Sequence, residues 1–298
     1  MRLVAVSLTI LVLATAYTFY LVNDREKDKL LTTSRVTATN INERLAGNTE
    51  RGKYVAVMAG CVACHTDTDS GGKPLAGGVR IDTPFGNFYS PNITSDPVAG
   101  IGAWSTDDFV KAMSIGKSPT GDHYYPAFPY TSYSAMTTQD MLDLKAWLDT
   151  VEPVATPAPT HDVAWPFSQR LSLVPWKALY FDQLRKIDTQ NRGNYLVNGP
   201  AHCAECHSSR NLLGGLSKLT LVGNKRGPEG NSVPGISTAD LSDWTVEDLE
   251  LFLEVGITPS GDFTGGHMAD VIEFNTGLLT ADDRTAIANY LLSEENHP

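Results

Sequence analysis

The pentapeptide Cys-x-x-Cys-His stands twice in this chain, as CVACH at 61–65 and CAECH at 203–207, and both copies sit inside a longer duplication. DDFVKAMSIGKSPTGD (107–122) lies over EDLELFLEVGITPSGD (247–262), with Trp104 over Trp244. RGKYV (51–55) answers RGNYL (192–196), and TTQDMLDLKAWL (137–148) answers TADDRTAIANYL (280–291). The offset drifts only from 140 to 143 residues, as short loop insertions would make it. The chain therefore uses one kind of domain twice, and each copy must bury a core of its own.

Both copies share one local grammar. A helical stretch runs into the cysteine motif, a region rich in Gly and Pro follows, and a helix then opens behind Ser105 or Thr245, each a good N-cap. A second amphipathic helix starts near Thr137 or Thr280, with Met141, Leu144 and Leu148, or Ile287, Tyr290 and Leu291, recurring at helical spacing. No stretch alternates as a strand should. The expected fold class is all-α, with two tandem domains over 45–152 and 187–296 and long irregular loops. Residues 153–186 join them: EPVATPAPTHDVAWP (152–166) reads as a stiff connector. FSQRLSLVPWKALYFDQLRK (167–186) presents an aromatic face, expected to pack between the domains or dock a partner or the membrane, and Pro175 should bend or break it.

Helical domains of this size with so much loop need something apolar at the centre, and a covalent cofactor supplies it. Cys-x-x-Cys-His is the attachment signal for c-type haem. Two thiols three residues apart on one helical turn reach the two vinyl groups, and the following imidazole then points under the ring. Cys61, Cys64, Cys203 and Cys206 are expected to hold two haems, with His65 and His207 as proximal iron ligands. A zinc site built from all four cysteines is disfavoured because the pairs lie too far apart in sequence, and a thioredoxin-like dithiol because no βαβ pattern surrounds either pair. Neither alternative needs the histidine, and all four cysteines of the chain are used.

A net charge of −11 argues against nucleic acid as a partner. From Leu3 to Val22 runs an uncharged apolar stretch long enough to span a bilayer as a helix. With Arg2 ahead of it, residues 1–24 are expected to form an uncleaved, single-pass anchor in a bacterial inner membrane, placing the remainder in the periplasm.

PFGNFYSPNITSDPVAGIGAWSTDDF (84–109), YYPAFPYTSY (124–133) and NRGNYLVNGPAHCAECHSSRNLLGG (191–215) give the chain, over roughly 50–298, a resemblance to a known family. It resembles the membrane-anchored cytochrome c subunits of periplasmic alcohol, aldehyde and gluconate dehydrogenases. The resemblance implies a class I cytochrome fold for each domain and electron transfer from a dehydrogenase catalytic subunit, or another redox protein, toward the quinone or oxidase side of the respiratory chain. Those subunits commonly carry three haems, whereas this chain has two motifs.

Met/His is the electron-transfer ligation of cytochromes c. In the second copy the only methionine is Met268, expected as the distal ligand, with His267 beside it as the fallback. Carried back by 140 residues, Met268 falls on Phe128, which cannot bind iron. The first copy leaves the choice between Met113 and Met136, with His123 and an open iron behind them. The expected function is a relay without substrate chemistry, since no dinucleotide fingerprint, P-loop or nucleophile elbow is present; the alternative is a peroxidase-like dihaem enzyme, which an open or labile first haem would allow. Arg80, Arg210, Trp104 and Trp244 are candidates for contact with haem propionates.

Overall fold

The computed structural model describes residues 46–293 apart from 184, 186, 217–219, 228 and 229. The stretch expected to form a membrane anchor lies outside the described residues, and no described helix is long and apolar enough to cross a membrane. The first half runs α1 (Thr49–Met58), α2 (Cys61–His65), β1 (Arg80–Thr83), β2 (Gly86–Tyr89), α3 (Thr106–Ile115), α4 (Tyr130–Tyr133) and α5 (Thr138–Leu148). After β3 (Asp162–Val163) and α6 (Leu173–Tyr180), the second half runs α7 (Arg192–Asn198), α8 (Ala204–His207), α9 (Val246–Val255), α10 (His267–Phe274) and α11 (Ala281–Leu292).

The expected helix starts are found, each with its physical cause. Ser105 caps α3 and Thr245 caps α9 in full capping boxes closed by Asp108 and Asp248. Thr137 and Thr280 accept from the amides of Asp140 and Asp283 to open α5 and α11. The all-α expectation needs one correction, since β1 and β2 form an antiparallel hairpin with Arg80 opposite Tyr89, and β3 adds to its other edge. The strands are too short for alternation to register in sequence. Because β3 comes from the segment expected to be only a connector, that segment is partly built into the first half. Pro175 neither bends nor breaks α6: it stands in the first turn, where no intrahelical donor is lost.

In each half the first and last helices cross at a glycine. A Cβ on Gly52 would stand 1.9 Å from the Asp143 carbonyl oxygen, and one on Gly193 would stand 2.0 Å from that of Ala286. These are equivalent positions in the repeat, so both halves close by the same contact.

The halves also exchange side chains. Tyr54 donates to Asp283 at 2.7 Å, and Tyr195 donates to Asp140. Each carboxylate is completed from its own half: Arg51 lies 2.8 Å from Asp140, and Arg192 reaches Asp283 through two bonds of 2.7 Å. Tyr54 matches Tyr195, Arg51 matches Arg192 and Asp140 matches Asp283, so the exchange has two-fold pseudosymmetry.

Gly52→Ala or Gly193→Ala should destabilise the fold by about 1–3 kcal/mol, the usual cost of overpacking, whereas Gly265→Ala, with nothing within 4 Å, should leave thermal unfolding unchanged. Burial works against ionisation of Asp283, but the hydrogen bonds from Arg192 and Tyr54 outweigh it and hold its carboxyl below the ordinary value. A depressed folded pKa stabilises above the unfolded value and is lost as pH falls through the folded one. Unfolding midpoints measured from neutral pH down through about pH 4 should therefore fall less steeply for Asp283→Asn than for the native chain.

Candidate haem attachment sites

Gly60, at φ 64°, turns the chain out of α1 and starts α2, which puts Cys61 and Cys64 one helical turn apart with His65 next. The second motif is built alike on α8. None of the four cysteines is in a disulfide. Desolvation pushes the free thiols of Cys61 and Cys203 up to about 12.

Each histidine is fixed from behind. His65 Nδ1 lies 2.7 Å from the carbonyl oxygen of Pro91, and His207 Nδ1 lies 2.8 Å from that of Pro234. A carbonyl only accepts, so Nδ1 carries the proton and Nε2 keeps its lone pair for a metal. Burial lowers the pKa of both imidazoles, which favours the neutral form that ligates. The loop ahead of each proline is pinned in the same way. Gly77 N donates to His65 O and Gly223 N to His207 O, both at 2.8 Å. Leu75 and Leu221, buried at φ 58° and 54°, donate to Thr66 Oγ1 and Ser208 Oγ, both at 3.1 Å. A leucine in the left-handed region is costly, and the identical pair shows that surrounding bonds impose it.

Each motif is also held by the other half. Glu205, between the second pair of cysteines, accepts from Thr131 at 2.6 Å and Ser132 at 2.8 Å, both on α4, and from Arg210. Burial opposes its ionisation, yet these donors hold its carboxyl below the usual value. Tyr133 donates to Ala59 O at 2.8 Å, and its ring packs on His202 at 5.5 Å between centroids. From the second half, Asn275 donates to Met58 O at 3.1 Å.

The donor set fits two c-type haems: paired thiols free of disulfides on one turn, each pair followed by an imidazole with its free nitrogen fixed. Among the described residues no three of His, Cys, Asp and Glu converge as a bare metal ion would require. The other expected site residues are placed as follows. Met268 is the second residue of α10, half-buried; His267 beside it is exposed, 3.9 Å from Asp270. Met113 on α3 and Met136 after α4 are core residues, 5% and 4% exposed. His123 is buried in the loop after α3, its carbonyl accepting from Arg170 at 2.8 Å. Arg80 pairs with Asp82 at 2.7 Å, and Arg210 is engaged by Glu205 and by the Gly214 carbonyl at 2.9 Å. Trp104 and Trp244 pack half-buried against the core. Sequence reading missed Pro91 and Pro234, although the repeat carries a signal for them, a proline 26 and 27 residues past each histidine.

Comparison with known proteins agrees with this chemistry. The family model for cytochrome c matches residues 49–152. The chain is 43% identical over 256 residues to a diheme cytochrome c-type protein of Cereibacter sphaeroides, covering 83% of this chain and 86% of that one. It is 37% identical to the gluconate 2-dehydrogenase cytochrome c subunit of Pantoea cypripedii, covering 82% of this chain and 59% of that subunit. With the cytochrome c subunit of the quinone alcohol dehydrogenase of Gluconobacter oxydans it shares 35% identity, covering 82% of this chain and 54% of that subunit. The chain thus spans a little over half the length of these two dehydrogenase subunits. Attachment chemistry, duplicated scaffold and relatives converge: the chain belongs to the cytochrome c family and carries two covalently bound haem c groups.

Proposed function

We propose that this protein relays single electrons from the catalytic subunit of a periplasmic dehydrogenase toward the quinone or oxidase side of the respiratory chain, and does no chemistry on the substrate itself. The observation that carries this reading is the locking of both motifs, each proximal imidazole tied to a proline carbonyl and each cysteine helix braced by the opposite half. A scaffold held in this way changes little when an iron changes charge, which is what a relay needs. Haem c supplies the one-electron couple, its potential tuned by axial ligand, hydrogen bonding and burial.

Around it, the chain's own residues orient and shield. His65 and His207 would present Nε2 to the irons, the four cysteines would hold the two rings, and Met268 would supply a thioether to the second haem. The relatives named as cytochrome subunits of gluconate and alcohol dehydrogenases support a dehydrogenase as partner. The uncharged run Leu3–Val22 supports a single-pass inner-membrane anchor with the haem-bearing part in the periplasm.

Purified full-length protein should be reduced by substrate only when a dehydrogenase catalytic subunit is added, as followed by its visible spectrum; substrate turnover by the chain alone would overturn the relay. Met268→Leu should lower the potential of one of the two haems and remove the ferric charge-transfer band of iron–thioether bonding, measured by spectroelectrochemistry at unchanged haem content.

A further inference from the structure

We infer that the first haem, on Cys61 and Cys64, has no thioether on its distal side, where Phe128 stands, and that its ferrous iron takes a small diatomic ligand such as carbon monoxide. This rests on the proposed ligation of the second haem by Met268.

The two halves can be overlaid bond by bond up to this point. Beyond α3 and α9, Gly116 and Gly256 both cap in the left-handed region, at φ 61° and 79°. Lys117 bridges His123 just as Ile257 bridges Phe263. Ser118, Thr120 and Asp122 repeat the hydrogen bonds of Thr258, Ser260 and Asp262, and Tyr124 N donates to Gly116 O at 2.9 Å as Thr264 N does to Gly256 O. This register sets Met268 over Phe128. The second half then has three more residues before α11, and if they are placed ahead of Met268 instead, it falls over Tyr125. From Tyr125 to Phe128 the chain reads Tyr-Pro-Ala-Phe, with no sulfur or imidazole in either alignment.

Of the four methionines in the first half, Met58 takes a contact from Arg192 at its sulfur, 3.1 Å away, and Met141 is a buried residue of α5; the same overlay accounts for the other two. Met113 holds the position of Leu253 within α3 and α9; they are 5% and 6% exposed. Met136 holds the position of Leu279, with matching turns into α5 and α11, Met136 N to Tyr133 O at 2.9 Å and Leu279 N to Thr276 O at 3.2 Å; both are 4% exposed. All four belong to the hydrophobic core. The second half uses leucine at both places while keeping Met268, so these are packing positions. Phe128 packs against the same core and against the ring of Tyr133 at 5.6 Å, whose hydroxyl bonds Ala59 just ahead of the first motif.

The test is carbon monoxide titration of the dithionite-reduced full chain, with covalent haem content as the check on folding. The native protein should bind one equivalent and Phe128→Met none, the latter gaining a second ferric thioether band. Met113→Leu and Met136→Leu should still bind one, and Met268→Leu should bind two. If Met268→Leu stays at one while Phe128→Met falls to none, the ligation of the second haem is wrong and the first-haem inference stands. A native protein that binds none, with binding restored by Met113→Leu, Met136→Leu or His123→Ala, overturns it.

Discussion

The hydrogen bond from the imidazole of His65 and of His207 to a proline carbonyl is the constraint around which both halves are organised. It settles the tautomer, so that Nε2 and no other nitrogen is offered to a metal. It also ties the far end of a long glycine-rich loop to the histidine at the loop's near end. Loops of this composition lose much entropy on ordering, and a single anchor would not hold them. The structure answers with several bonds at each loop, from the histidine carbonyl, the hydroxyl of Thr66 or Ser208 and the ring nitrogen, which together force Leu75 and Leu221 into a conformation leucine avoids.

Glu205 shows how the halves divide the labour. A carboxylate one residue before Cys206 would be costly to bury alone, and its donors come from both sides: Arg210 from its own loop, Thr131 and Ser132 from the first half. Arg210 is therefore a structural cation in this scaffold. The segment that supplies these hydroxyls follows directly on Phe128, so the distal loop of one half is the brace of the other half's motif.

Much of this was legible in the sequence. The duplication, the attachment motifs and four helix starts rest on spacing and capping chemistry, which act within a few residues of one another. The sheet was not legible, because β1 and β2 have four residues each and β3 two, and its third strand comes from a segment that composition marks as a linker. The harmless placement of Pro175 was hidden because a proline's effect depends on whether it falls in a helix's first turn, and that boundary carries no clear sequence signal here. The proline carbonyls were overlooked because a backbone oxygen has no side-chain signature. The exchange between Tyr54 and Asp283 joins residues 229 apart, and only the folded chain discloses it.

That exchange has a consequence for how such a protein is assembled. Tyr54 to Asp283 and Tyr195 to Asp140 form a self-complementary pairing, the kind two identical subunits make across a two-fold axis. A covalent tether turns such an encounter into an intramolecular one, independent of dilution. The tether also frees each side to diverge, so that equivalent positions can carry different residues, as Met113 and Leu253 do, which a true homodimer could never do.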